Sequence, residues 1–170
     1  FRTYFLAIMA TALVACQDKV TEIFSSENVA TAIKDGTNWT AFVRAGFDSA
    51  FGDSLLSISM ESSIGLGLTQ DMVFQKVPAE PGSYNLVPSF TSPPIDGIEA
   101  SLFEIEGGDV ISQSFSLDTS KINSFSVDSY DPGLRKIKIS FEAHFITKHQ
   151  DPTTNIQTDF IDGKITTVVD

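Results

Sequence analysis

The chain of 170 residues holds one cysteine (Cys16), two histidines (His144 and His149), one tryptophan (Trp39), and only 11 lysines and arginines against 22 aspartates and glutamates. A lone cysteine excludes an internal disulfide and any cysteine-cluster metal site. The shortage of basic residues leaves a net charge of −11, a surface that repels nucleic acid and anionic membranes. No apolar run reaches the ~20 residues of a membrane-spanning helix. A glycine-rich phosphate loop, a Gly-x-Ser-x-Gly elbow and a basic aromatic stripe are all missing, and with them the usual marks of nucleotide binding, serine hydrolysis and single-strand binding. No stretch after the first 15 residues repeats its apolar positions at helical spacing. The nearest, Glu22 to Lys34, mixes β-branched residues with serines and has no continuous apolar stripe.

What is present begins with an N-terminal pattern. Arg2 is basic, Tyr4 through Val14 is apolar but too short to span a bilayer, and Leu13-Val14-Ala15-Cys16 ends it with a small residue before the cysteine. This order of basic start, short apolar run and small residue describes an export signal. With cysteine next, it reads as the cleavage and lipidation box of a bacterial lipoprotein. Residues 1–15 are then expected to be removed and Cys16 to carry a diacylglycerol, palmitate among its acyl chains, as the only attached cofactor. Two or more acyl chains hold a protein durably at a membrane where one does not. Phe1 is not an initiator methionine, so a longer basic start is expected ahead of Arg2. Residues 16–28 are mostly polar and read as a flexible tether, leaving 29–170 as one domain, long enough to bury a core without disulfides.

Within that domain the apolar pattern has period two. Val29 to Ile33 and Trp39-Ala41-Val43-Ala45-Phe47 flank the turn signal Asp35-Gly36. Leu56-Ile58-Met60, Ile64-Leu66-Leu68 and Met72 to Gln75 read as three further strands, and Ser83 to Val87 as the single strand of a proline-punctuated region. Leu102 and its neighbours face Ile111-Gln113-Phe115-Leu117 across Gly107-Gly108-Asp109. Ser124 to Asp128 precedes the turn Asp131-Pro132-Gly133. The longest alternation, Ile137-Ile139-Phe141-Ala143-Phe145, sets Lys138, Ser140, Glu142 and His144 on the other, watered face. Phe160 and Asp162-Gly163-Lys164-Ile165 end the chain as a strand or hairpin. Nine to eleven short strands and no helix predict an all-β, antiparallel fold, a β-sandwich or barrel, of which the sandwich is taken as the expectation. Most of the 14 phenylalanines, Trp39 and the Tyr84 ring are expected in its core.

The segments Leu13-Val14-Ala15-Cys16, Ile33 to Ala41, Pro81-Gly82-Ser83-Tyr84-Asn85-Leu86, Lys136 to Ala143 and Ile161-Asp162-Gly163-Lys164-Ile165 together resemble the small secreted lipoproteins of Bacteroidota that carry a domain of unknown function. The resemblance spans nearly the whole chain and implies a fold and a compartment, the outer membrane, on its periplasmic face or at the cell surface. It implies no activity. Gln17-Asp18-Lys19 resembles in part the surface-export signals of that phylum. Asp48-Ser49-Ala50 and Asp53-Ser54-Leu55 resemble its O-glycosylation motif, with Ser49 and Ser54 as the acceptors.

Catalytic material is thin. His144 is expected to be exposed. His149 and Asp151 stand near it in sequence, but the spacing is no known ligand signature. Asp128 and Asp131, with Asp109, are the residues best suited to calcium, which favours oxygen ligands in turns. No Asp-x-Asp-x-Asp-Gly loop is present, and no metal is assigned. Glu104 and Glu106 share one strand face, which describes a solvated edge as well as a site. The expectation is a non-enzymatic binding or structural module, anchored to a membrane by its lipid and offering loops to a glycan or an envelope protein. A carbohydrate-active hydrolase or an accessory subunit of an envelope complex is the alternative.

Overall fold

The alternation at Trp39, Ala41, Val43 and Ala45 turns four apolar side chains to one face of an extended chain, and all four are buried. They lie on β2 (Thr37–Phe47), which returns along β1 (Val29–Lys34) through the Asp35-Gly36 turn. Both turn residues have positive φ, 49° and 81°, the conformation a two-residue hairpin needs to match strand twist. The computed structural model describes residues 27–48, 54–147 and 155–170. The strands that follow are β3 (Leu55–Gly65), β4 (Leu68–Pro78), β5 (Gly82–Tyr84), β6 (Leu86–Pro88), β7 (Ile98–Glu106), β8 (Val110–Leu117), β9 (Ser124–Asp131), β10 (Lys136–Ile146) and β11 (Gln157–Val168), with no helix among the described residues.

The all-β, antiparallel expectation holds, but the sandwich does not. The strands pair in the order β11-β1-β2-β3-β4-β7-β8-β10, and β10 pairs back onto β11, closing a barrel of eight strands. Alternating inward and outward residues look the same in either architecture. Long strands and bulges that bend them, as between Leu56 and Ile58 and between Phe141 and Ala143, let the sheet curl onto itself. The closing seam is short: β8 meets β10 only through Leu117↔Phe145 and Ser116↔Ile146. Beyond it β9 takes over the edge of β10, β5 pairs with β9, and β6 runs parallel beside β7, so that Gly82–Pro88 crosses the space between β7 and β9. The expected single strand over Ser83–Val87 is thus two short ones.

Side chains fill the barrel. Phe74 contacts Phe125 and Phe141 edge-on, with centroids 5.0 and 5.3 Å away; Trp39 and Phe145 meet Phe160 at 5.1 and 6.1 Å. Ala30, Ala32, Ala41, Ala45, Ala100 and Ala143 make room for these rings. Outside, β10 and β11 carry Lys138, Ser140, Glu142, Asp162 and Lys164. On these two strands the outer face is the reverse of the apolar outer band of a membrane-spanning barrel.

The Ile64-Leu66-Leu68 strand is overturned. Gly65, Leu66 and Gly67 all have positive φ and form the tip of the β3–β4 hairpin, with Leu66 fully exposed. Farther down that hairpin, Glu61 stands opposite Asp71. Burial and the Glu61 charge push the Asp71 carboxyl up from its ordinary 3.8, against a smaller pull from Arg44. A raised carboxylate pKa means that ionising Asp71 works against the fold, an effect that grows as pH climbs through the folded-state value. Asp71→Asn is therefore expected to stabilise the protein at neutral pH by about 0.2–1 kcal/mol. The gain should vanish below pH 3.8, where Asp71 is protonated in both states. Thermal melts of the two proteins across that range check it.

Candidate functional site

Strand register assembles a concave surface on the outside of the barrel. Ser83 pairs with Ser126, Ser126 with Ser140, and Ser140 with Lys164, so a row of short side chains crosses β5, β9, β10 and β11. One residue on, the row Tyr84, Phe125, Phe141 and Gly163 packs toward the interior. The bulge in β11 places Asp162 at a φ of 54°, exposed beside the row. The result is a groove of about 430 Å³, lined chiefly by Asn85, Ser126, Ser140, Glu142, Asp162 and Lys164, with Tyr84, Phe125 and Phe141 contributing. Tyr84 is anchored by its hydroxyl, which donates to the Glu80 carbonyl at 3.0 Å. Burial, with Glu80 adding to it, pushes that phenol up, so it remains a donor.

Two polar chains enter the groove. In the first, Lys164 Nζ donates to Ser140 Oγ at 2.7 Å, and that hydroxyl donates to Asp128. The second begins at Glu142, whose Oε1 lies 3.1 Å from His144 Nε2. His144 Nδ1 lies 2.8 Å from Asp159 Oδ1, and Lys121 Nζ donates to Asp159 at 2.8 Å. The loop after β8 ties in here: Asp118 N donates to the His144 carbonyl and His144 N to Asn123 Oδ1. His144, expected at the surface, is therefore only 9% exposed.

The Lys121 ammonium, and behind it His144, hold the Asp159 carboxyl below the usual carboxylate value despite partial burial. The Ser120 hydroxyl and amide do the same for Asp118. A lowered folded-state pKa stabilises the fold above the ordinary 3.8 and ceases to do so as pH falls through the lower value. Asp159→Asn is expected to cost about 1 kcal/mol near neutrality. That difference should shrink below pH 3.8, which urea melts over an acid series would show.

The residues singled out in the sequence fall elsewhere for the most part. Cys16, Ser49, His149 and Asp151 lie outside the described residues, as do the signal segment and the tether through residue 26. Glu27 and Asn28, the end of that expected tether, are held to the barrel: Glu27 accepts from Lys136 at 3.0 Å, and Asn28 Oδ1 accepts from Thr167 Oγ1 and Val168 N. Ser54 is exposed in the turn before β3. Asp128 is engaged by Ser140, while Asp131 Oδ1 caps its own turn through Gly133 N and Leu134 N at 2.9 and 3.0 Å. Glu104 accepts from Gln70 at 3.4 Å, while Glu106 is exposed. Among the described residues, no group of three His, Cys, Asp or Glu side chains is placed to share a metal ion.

Glu142 and His144 were legible as one outer face of β10. Asn85, Asn123, Lys121 and Asp159 carried no local signal, since only the register brings them there. Comparison of the chain with protein-family models, with curated proteins and with solved structures finds no match.

Proposed function

We propose that the chain is a lipid-anchored envelope protein of the Bacteroidota lipoprotein kind, held at the outer membrane through Cys16, whose barrel is a non-enzymatic binding or structural module for a glycan or a protein. The observation that carries this reading is the division of the barrel: its interior is occupied by Phe74, Phe125, Phe141, Phe145, Phe160 and Trp39, so contact with a partner falls to the polar outside and its groove. The test is protease shaving of intact cells beside fractionation of a Cys16→Ala version. The native chain should sediment with the outer membrane and the variant should not. Unchanged membrane association of the variant would overturn the anchor.

A hydrolase is the second reading, favoured by the presence of two carboxylates from neighbouring strands, Glu142 and Asp162, at one groove. Turnover of an envelope polymer that single carboxylate replacements abolish without unfolding would establish it. An accessory-subunit reading draws on Leu66, Val110 and Ile111, exposed on two hairpins whose tips touch through Gly107 N and the Gly67 carbonyl at 3.2 Å. Proteins that co-purify with the native chain and are lost on replacing these side chains would support it.

A further inference from the structure

Resting on the binding-module reading, we propose that the groove across β5, β9, β10 and β11 is a site for a neutral oligosaccharide, with Glu142 and Asp162 as hydrogen-bond acceptors and Asn85 and Lys164 as donors. The first argument is unspent bonding capacity. Some charges elsewhere on the outer surface are paired, as in Lys76 with Glu99 and Lys136 with Glu27. In the groove, the side chains of Asn85, Ser126 and Asp162 make no hydrogen bond to any described residue, Glu142 commits one oxygen to His144, and Lys164 commits one N–H to Ser140. A sugar hydroxyl donates and accepts at once, so a wall that alternates acceptors and donors suits it.

Charge narrows the class further. A polyanion would meet two groove carboxylates against one lysine, on a chain of net charge −11. An extended peptide is disfavoured because the backbone beneath the groove is already consumed by the β5–β9, β9–β10 and β10–β11 ladders, which leaves recognition to side chains. Glu142 is also oriented before any ligand arrives, by the sequence His144, Asp159, Lys121, so little ordering remains for binding to impose. The groove's volume of about 430 Å³ lies within the range of small-ligand sites.

The test is calorimetric titration of the full chain in detergent with short neutral gluco-, manno-, galacto- and xylo-oligosaccharides, with an oligogalacturonate as the anionic comparison. At least one neutral series should bind. Ser126→Trp, which fills the groove from its outer face, and Glu142→Gln should each weaken that binding about tenfold or more. Should Ser126→Trp fail to fold, Asp162→Ala at an exposed bulge takes its place. Absence of binding by every neutral series, or tighter binding of the oligogalacturonate, overturns the proposal. Binding that the groove variants leave unchanged removes the site and leaves the binding-module reading standing. Shortening of the bound oligosaccharide, read by mass spectrometry, would do the reverse: the groove would stand and the non-enzymatic reading would fall.

Discussion

Phe74→Ala should lower the stability of the barrel by about 3–5 kcal/mol, roughly a fifth or more of what a domain of this size usually possesses. Phe74 has no exposed surface and packs edge-on against two rings, the cross-strand pair Phe125 on β9 and Phe141 on β10, so its loss opens a void between β4 and strands from a distant part of the chain. A closed barrel cannot slide one layer inward as two stacked sheets can, which leaves the void largely unfilled. A urea melt should show a lower midpoint with an unchanged slope. Phe42→Ala is the internal comparison. That ring is 52% exposed, on the outer face of β2, with the Arg44 guanidinium 5.4 Å from its centroid, and its removal should cost under ~1 kcal/mol. Similar losses in the two variants would mean that the interior repacks freely.

Gly163→Ala should be costly for the opposite reason. A methyl group at Gly163 would sit 2.5–2.6 Å from three carbons of the Phe141 ring, far inside contact distance. Phe141 is only 3% exposed and is backed by Phe74, so the ring cannot withdraw. Overpacking of this kind costs about 1–3 kcal/mol. The backbone at Gly163 is not in the left-handed region, so the cost is one of space and not of conformation. Space can be returned: Phe141→Leu in the Gly163→Ala background should recover part of the loss, giving a coupling of about 0.5–3 kcal/mol in a double-mutant cycle. Strict additivity of the two changes would place the strain somewhere other than this pair.

Gly163 also marks how far the sequence could be read. Asp162-Gly163-Lys164 stood out as a motif, yet its reason, a ring from β10 lying where a side chain would be, depends on a pairing that no local pattern encodes. What was legible is what a few consecutive residues decide. The Asp35-Gly36 hairpin, the inward set on β10, that on β2 except for the exposed Phe47, and the burial of Trp39 all follow from turn chemistry and period two. Alternation misled at Ile64 and Leu66, because apolar residues continue across a turn that the flanking glycines form. Closure was illegible because it rests on two residue pairs between β8 and β10. The groove was illegible for a related reason: Ser83, Ser126, Ser140 and Lys164 are scattered through the chain and meet only when four strands fall into register. His144 was placed on the correct face, but its cover, the loop after β8 and Asp159, comes from elsewhere in the chain.

The adjacency of β1 and β11 has a mechanical consequence. The described chain begins at Glu27 and Asn28, at the start of β1, while Asp162 and Lys164 of the groove belong to β11, the neighbouring strand. A pull between the N-terminal segment and anything held in the groove would cross from one strand to the other along the ladder that runs from Val29↔Thr166 to Lys34↔Phe160. Force directed along strand axes loads those hydrogen bonds together and does not peel them open one at a time. The Asn28 side chain, which grips Thr167 and Val168, reinforces the end where the load would enter. The short seam between β8 and β10 lies off that path, so the weakest stave of the barrel would be spared the tension.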